Sequence, residues 1–238
     1  MKNTIVVRGG NGCGKTTFAA ALAAQLARSG VHTLLISPDT HIPAFGLWVP
    51  KGEPPASLGK ILEGTVPEKI TLASIVFIPR GLKENLGLLG YLPNETADKY
   101  TPASDDKASD FLRLASELAE QVVVDGTAYG DALTSAAVKA SALQIRLLEP
   151  DPRGFLSATS APPEKGASET IWIACTRGAG DAVEEIAKRL HIKLVAELPR
   201  LLEAHTKLTE GRLFEPYQDK RYRGVVELIA RAILEVVS

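Results

Sequence analysis

The sequence predicts an α/β fold, a doubly wound and mostly parallel sheet with helices on both faces. Three observations predict it. Short runs such as Val31 to Ile36 and Val122-Val123-Val124 are apolar on both sides, as strands covered on both faces require. Such runs alternate with stretches of helical periodicity along the chain, the order that builds a parallel sheet. The first run, Ile5-Val6-Val7, passes straight into a glycine-rich loop and then into an alanine-rich helix.

That loop, Gly9-Gly10-Asn11-Gly12-Cys13-Gly14-Lys15-Thr16 followed by Thr17, fits the phosphate-binding pattern G-x-x-x-x-G-K-[ST]. Glycines let backbone N–H groups turn inward around an anion, and the helix that follows adds its positive end. In this pattern Lys15 meets the β- and γ-phosphates and Thr16 offers its hydroxyl to Mg²⁺. The expected fold is therefore a Rossmann-like P-loop NTPase, built as a single nucleotide-binding domain over residues 1–238.

In chain order, residues 2–8 form the first strand and 15–29 the first helix, stopped by Ser29-Gly30. Val31 to Ile36 is the second strand. His41 to Pro55, rich in Pro and Gly, reads as a long loop at its carboxyl end, the edge where doubly wound sheets bind ligands. Short helices are expected at 57–63 and 67–73, and strands at Ile75 to Ile78 and Asn85 to Tyr91. Pro93 to Asp106 is a polar excursion, Ala108 to Leu118 a helix, and Gln121 to Thr127 a central strand. A helix over 129–138 leads to the strand Ala142 to Leu148, and 160–169 is a surface turn. Ile171 to Cys175 and Ile192 to Ala196 are strands, with helices at 181–190, 199–205 and 222–237.

Composition narrows the class. A hydrophobic share of 45% over 238 residues supports a sizeable core, and a net charge of −1 announces no global field for nucleic acid. The two cysteines, Cys13 and Cys175, have no metal or C-x-x-C spacing, which fits a reducing cytoplasm. The chain starts with strand residues and has no leader pattern, and no apolar run nears the ~18 residues of a membrane span.

Three strand ends offer chemistry. Asp125 closes a strand expected to lie beside the one feeding the glycine loop, so it is a candidate Mg²⁺ carboxylate; the alternative is a cap for the next helix. Asp39, after the second strand, would face the γ-phosphate and orient water, or serve only the turn after Pro38. Arg177 would border a base or stand as a loop arginine. Pro199 would lie along the adenine or merely begin a helix. Cys13 reads as a small side chain packed under the phosphates, with a redox role as the minor alternative. Lys220-Arg221-Tyr222-Arg223 would touch DNA phosphates or acidic lipid, or form a solvated helix start. The stripe Val225, Val226, Ile229, Ile233, Val236, Val237 would meet a membrane surface or dock on the sheet.

Together the glycine loop, Ser37-Pro38-Asp39, Val122 to Gly126, Thr176-Arg177 and Val195 to Pro199 resemble the ParA/MinD family of dimerising ATPases along nearly the whole chain. Asn85 to Tyr91 and Gly211 to Pro216 resemble its atypical TadZ/CpaE branch. The resemblance implies ATP and ADP as ligands with Mg²⁺ and an ATP-dependent homodimer. It also implies a protein partner in a larger assembly, with DNA or a membrane surface left open. It assigns phosphate and metal binding to Lys15 and Thr16, water positioning to Asp39 and metal support to Asp125. Two departures weaken that assignment. Gly10 stands where the family carries a lysine that reaches across the dimer, and Ser37 replaces an aspartate. Weak hydrolysis is the expectation, unless Arg8 or another residue supplies the cation.

Two other functions stay open at this stage. One is a small-molecule kinase or an ATP-dependent ligase such as dethiobiotin synthetase, with loop 41–55 forming the acceptor pocket. The other is a non-hydrolysing interaction module that holds nucleotide as a structural element. A GTPase lacks support, because no N-K-x-D tetrapeptide occurs.

Overall fold

The computed structural model describes residues 3–43, 45–48, 57–64, 72–73, 76, 82, 85–93, 95, 99, 103–160, 169–176 and 181–237. Seven strands form one parallel sheet: β1 (Thr4–Gly9), β2 (Thr33–Ser37), β3 (Leu86–Gly90), β4 (Gln121–Asp125), β5 (Leu143–Leu148), β6 (Glu169–Thr176) and β7 (Leu194–Pro199). Their spatial order is β3-β2-β4-β1-β5-β6-β7. Chain order reverses around β1, and the crevice at such a switch point, outside the strands' carboxyl ends, is where ligands bind.

Helix α1 (Lys15–Arg28) lies flat on one face because its inner side is largely alanine. Ala20, Ala23 and Ala24 are buried without holding the helix off the sheet, and Phe18, Leu22 and Leu26 fill the space around them. It ends at Ser29, with Gly30 at φ +91°. The same face carries α2 (Phe45–Trp48), α8 (Glu203–Thr209) and α9 (Lys220–Val237). Tyr222, Val226, Ile229 and Ile233 of α9 are buried in that core, so the apolar stripe docks within the protein. The side chains of Val236 and Val237 lie outside the described set.

The opposite face is covered by α3 (Leu58–Glu63), α4 (Asp105–Leu118), α5 (Ala132–Ala140), α6 (Pro152–Ser160) and α7 (Asp181–Leu190). Ser57, Ser104 and Asp131 cap α3, α4 and α5 by accepting from the N–H groups of Lys60, Lys107 and Thr134. Among the described residues, no helix is long and apolar enough to cross a membrane.

Several expectations need correction. The stretch read as a loop from His41 contains α2, whose Phe45 and Trp48 are buried beside Phe214. A helix, α6, occupies 152–160, where the sequence offered none. The last strand runs to Pro199 and the helix expected at 199–205 begins at Glu203. The helix expected from 129 starts at Ala132. The expected strand Ile75 to Ile78 and most of helix 67–73 and of turn 160–169 lie outside the described residues.

Candidate functional site

Loop 9–14 leaves β1 at the switch point and enters α1. Gly9 has φ +157°, and a Cβ there would stand 2.6 Å from both the Cys13 Sγ and the Leu147 carbonyl oxygen. The loop therefore closes tightly over β5, with Cys13 packed beneath it as the sequence suggested. Burial pushes the Cys13 thiol up to about 11, an environment that disfavours the thiolate and opposes a redox role. Lys15 turns back to donate its Nζ to the Gly10 carbonyl at 2.8 Å, which holds its charge over the loop.

Asp125 reaches the loop through the sheet. β4 pairs with β1 in parallel, with Val7 opposite Asp125. The carboxylate thereby meets α1's first turn, where Thr16 Oγ1 donates to Asp125 Oδ2 at 2.7 Å. The other oxygen, Oδ1, is buried without a hydrogen-bond partner among the described residues. Burial raises Asp125 to about 6; the Thr16 hydrogen bond and Lys15 pull it back, and nearby Asp39 adds to the rise. An unpartnered buried carboxylate oxygen beside a threonine hydroxyl is a donor set that fits a hard divalent cation. Asp125 does not cap the next helix. Asp131 does, and it also accepts from Thr127 Oγ1 at 2.7 Å, which stiffens the loop after β4.

Asp39 lies at the carboxyl end of β2, near enough to Asp125 to influence its titration. Its Oδ1 accepts from the N–H groups of His41 and Ile42 at 2.8 and 2.9 Å, so it does serve the turn; both oxygens belong to a carboxylate at the mouth of the site. Tyr129, after β4, joins the neighbouring loops: its ring lies 4.9 Å from that of His41 and its hydroxyl accepts from Asn11 Nδ2 at 2.5 Å. The loops after β1, β2 and β4 are thus in contact with one another at the sheet's mouth.

From the loop a cavity of about 180 Å³ runs over β6 and β7, bounded by Gly12, Gly14 and Thr17 at one end and by Thr176, Pro199 and Leu201 at the other. Pro199 ends β7 and walls this cavity; it does not begin a helix. Arg177 lies outside the described residues. Among the lining residues not singled out for this role in the sequence are Glu149, just past β5, Cys175, and Tyr222 from α9. Glu149 and Cys175 sit one residue past or near strand ends, which is a usable signal. Tyr222 carried none, since its helix is remote in sequence.

A family model for the CobQ/CobB/MinD/ParA nucleotide binding domain matches residues 4–195. The chain belongs to this family. Solved structures agree on the fold of this CobQ/CobB/MinD/ParA member at low identity. The septum site-determining protein MinD complexed with Mg-ADP, from Pyrococcus horikoshii OT3, is 17% identical with TM-score 0.79, covering 100% of this chain and 98% of that one. A ParA family ATPase from Chlorobium tepidum TLS is 15% identical with TM-score 0.78, covering 97% and 98%. A putative plasmid partition protein from Borrelia burgdorferi B31, bound to AMPPNP, is 14% identical with TM-score 0.73, covering 99% and 100%. No curated protein matches the chain in sequence.

Proposed function

We propose that this family member binds ATP with Mg²⁺, hydrolyses it weakly, and acts as a nucleotide-dependent dimerisation switch that positions or recruits a larger assembly. The observation that carries this is the Thr16–Asp125 hydrogen bond with Asp125 Oδ1 left unpartnered beside the glycine loop. In this reading residues 9–17 cradle the phosphates and Lys15 leaves the Gly10 carbonyl for the β- and γ-oxygens. Asp39 orients the attacking water, and Pro199 and Arg177 border the adenine. Mg²⁺ would be held by Thr16 and Asp125 and would neutralise charge on the phosphates. The rest is protein work: the loop binds and orients, and the contacts of Tyr129 keep the loops around the phosphate together.

The dimer, the protein partner, the cytoplasmic setting, the single domain over 1–238 and the TadZ/CpaE-like branch belong to this proposal. They are supported by the family and by the strand-end residues. The resemblance to the TadZ/CpaE-like branch suggests a cargo such as a pilus or a secretion machine, and the similar plasmid partition protein suggests a DNA segment.

A second reading, a module that binds nucleotide without turnover, draws on Ser37. This hydroxyl, at the end of β2, is 1% exposed and has no hydrogen-bond partner among the described residues, where an aspartate would present a carboxylate. Calorimetric titration with ATP and ADP, with and without Mg²⁺, on wild type and Lys15→Ala tests the common core of both readings. Mg²⁺-dependent binding that is lost in the variant supports it; no binding at millimolar nucleotide overturns it. Phosphate release from the same samples separates the two.

A further inference from the structure

We propose that Arg153 is a phosphate-binding residue of this site, a second cation that α6 holds beside the terminal phosphate of a bound triphosphate. This rests on the nucleotide reading above. It goes further by naming the residue that separates ATP from ADP.

The placement follows from two close approaches. Helix α6 starts directly after β5, at the same carboxyl edge as the glycine loop. Asp151 Oδ1 accepts from the Gly154 N–H at 2.8 Å, and a Cβ on Gly154 would lie 1.9 Å from the Glu149 carbonyl oxygen. The first turn of α6 is therefore pressed against the end of β5. One turn on, Ser157 Oγ lies 3.6 Å from where a Cβ of Gly10 would stand, so α6 also touches the loop. Arg153 precedes Ser157 by four residues, which puts it on the same helix face about 6 Å nearer the sheet's mouth. From there an extended guanidinium would reach over the loop from the Gly10 side.

The charge balance points the same way. A triphosphate carries several negative charges, and within the loop only Lys15 is cationic. Arg8 is in register with Arg146 on the sheet face where Arg146 stacks 4.5 Å over Trp172; burial depresses Arg146, and the like charge of Arg8 adds to it. Arg200 lines the far end of the cavity. Arg153 is exposed and makes no hydrogen bond or ion pair among the described residues. Its planar fork of donors suits phosphate oxygens.

The test measures affinities of wild type, Arg153→Ala and Arg153→Lys for ADP and for a slowly hydrolysed ATP analogue, both with Mg²⁺, by calorimetry. Arg153 is exposed, so both variants keep the fold. Loss of charge-assisted bonds to the terminal phosphate weakens the analogue about tenfold or more in Arg153→Ala while ADP affinity is unchanged, with Arg153→Lys in between. An unchanged preference for the analogue over ADP in Arg153→Ala, or equal weakening of both nucleotides, overturns the proposal while leaving the nucleotide reading intact. A wild type that binds neither nucleotide overturns both.

Discussion

Thr16 and Asp125 stand 109 positions apart in sequence and hydrogen-bond at 2.7 Å across the mouth of the sheet. Their contact depends on β4 lying beside β1, because that pairing brings the Asp125 carboxylate level with the first turn of α1. The second carboxylate oxygen is buried and has no hydrogen-bond partner among the described residues, and this makes the ionised Asp125 costly to the fold.

That cost is measurable against pH. Asp125 is raised from 3.8 to about 6, so the folded state holds its proton more tightly than the unfolded chain does. The stabilisation is fully present below the lower value and is lost as pH rises through the higher one, by up to about 3 kcal/mol. Asp125→Asn, neutral throughout, is expected to melt higher than wild type above pH 7 without ligand and to lose Mg²⁺-dependent nucleotide binding. Melting curves from pH 4 to 8 check this; variant and wild-type curves that run parallel contradict it.

Gly9→Ala is expected to cost the loop its shape. A methyl group would stand 2.6 Å from the Leu147 carbonyl as well as from Cys13 Sγ, at a φ that side chains rarely adopt. A loss of roughly 1–3 kcal/mol in stability should accompany weak or absent nucleotide binding. Adding Cys13→Ala should not restore it, because the carbonyl remains; full rescue by that double change would show that only the thiol is crowded.

Cys13 and Cys175 line one cavity, and burial raises both thiols, Cys13 to about 11. At pH 8 a thiol reagent is expected to label the native protein far more slowly than the urea-unfolded chain, and bound nucleotide should slow it further. Labelling of native protein as fast as unfolded chain would contradict the packing described.

Ile229 of α9 is 2% exposed within the core that α1 shares. Ile229→Ala is expected to destabilise by roughly 2–4 kcal/mol in denaturant unfolding, and wild type should not float with anionic vesicles. Vesicle binding by the folded protein would show that α9 has another use.

Much of this was legible because it is written in strong local patterns. The glycine loop is contiguous, and the apolar runs of β1, β2 and β4 admit no other element. Asp125 ends such a run, so its place followed once β4 and β1 were taken as neighbours. Elements that depend on tertiary contact were harder to read. α2 is one turn inside a Pro- and Gly-rich passage, and it is helical because Phe45 and Trp48 find a buried surface. α6 carries Pro152 and Gly154, which read as breakers. In the fold, Asp151 caps the helix, Pro152 takes the first helical position where proline is favoured, and Gly154 is the price of close packing on Glu149. The meeting of Tyr222 with the loop is set by α9, and nothing local announces it.

Size-exclusion chromatography with light scattering tests the central claim most directly, run on wild type and Lys15→Ala with ADP or a slowly hydrolysed ATP analogue and Mg²⁺. A nucleotide-gated switch predicts wild-type dimers with the analogue alone and no such dimer in the variant. A wild-type mass that is the same in every nucleotide contradicts the switch.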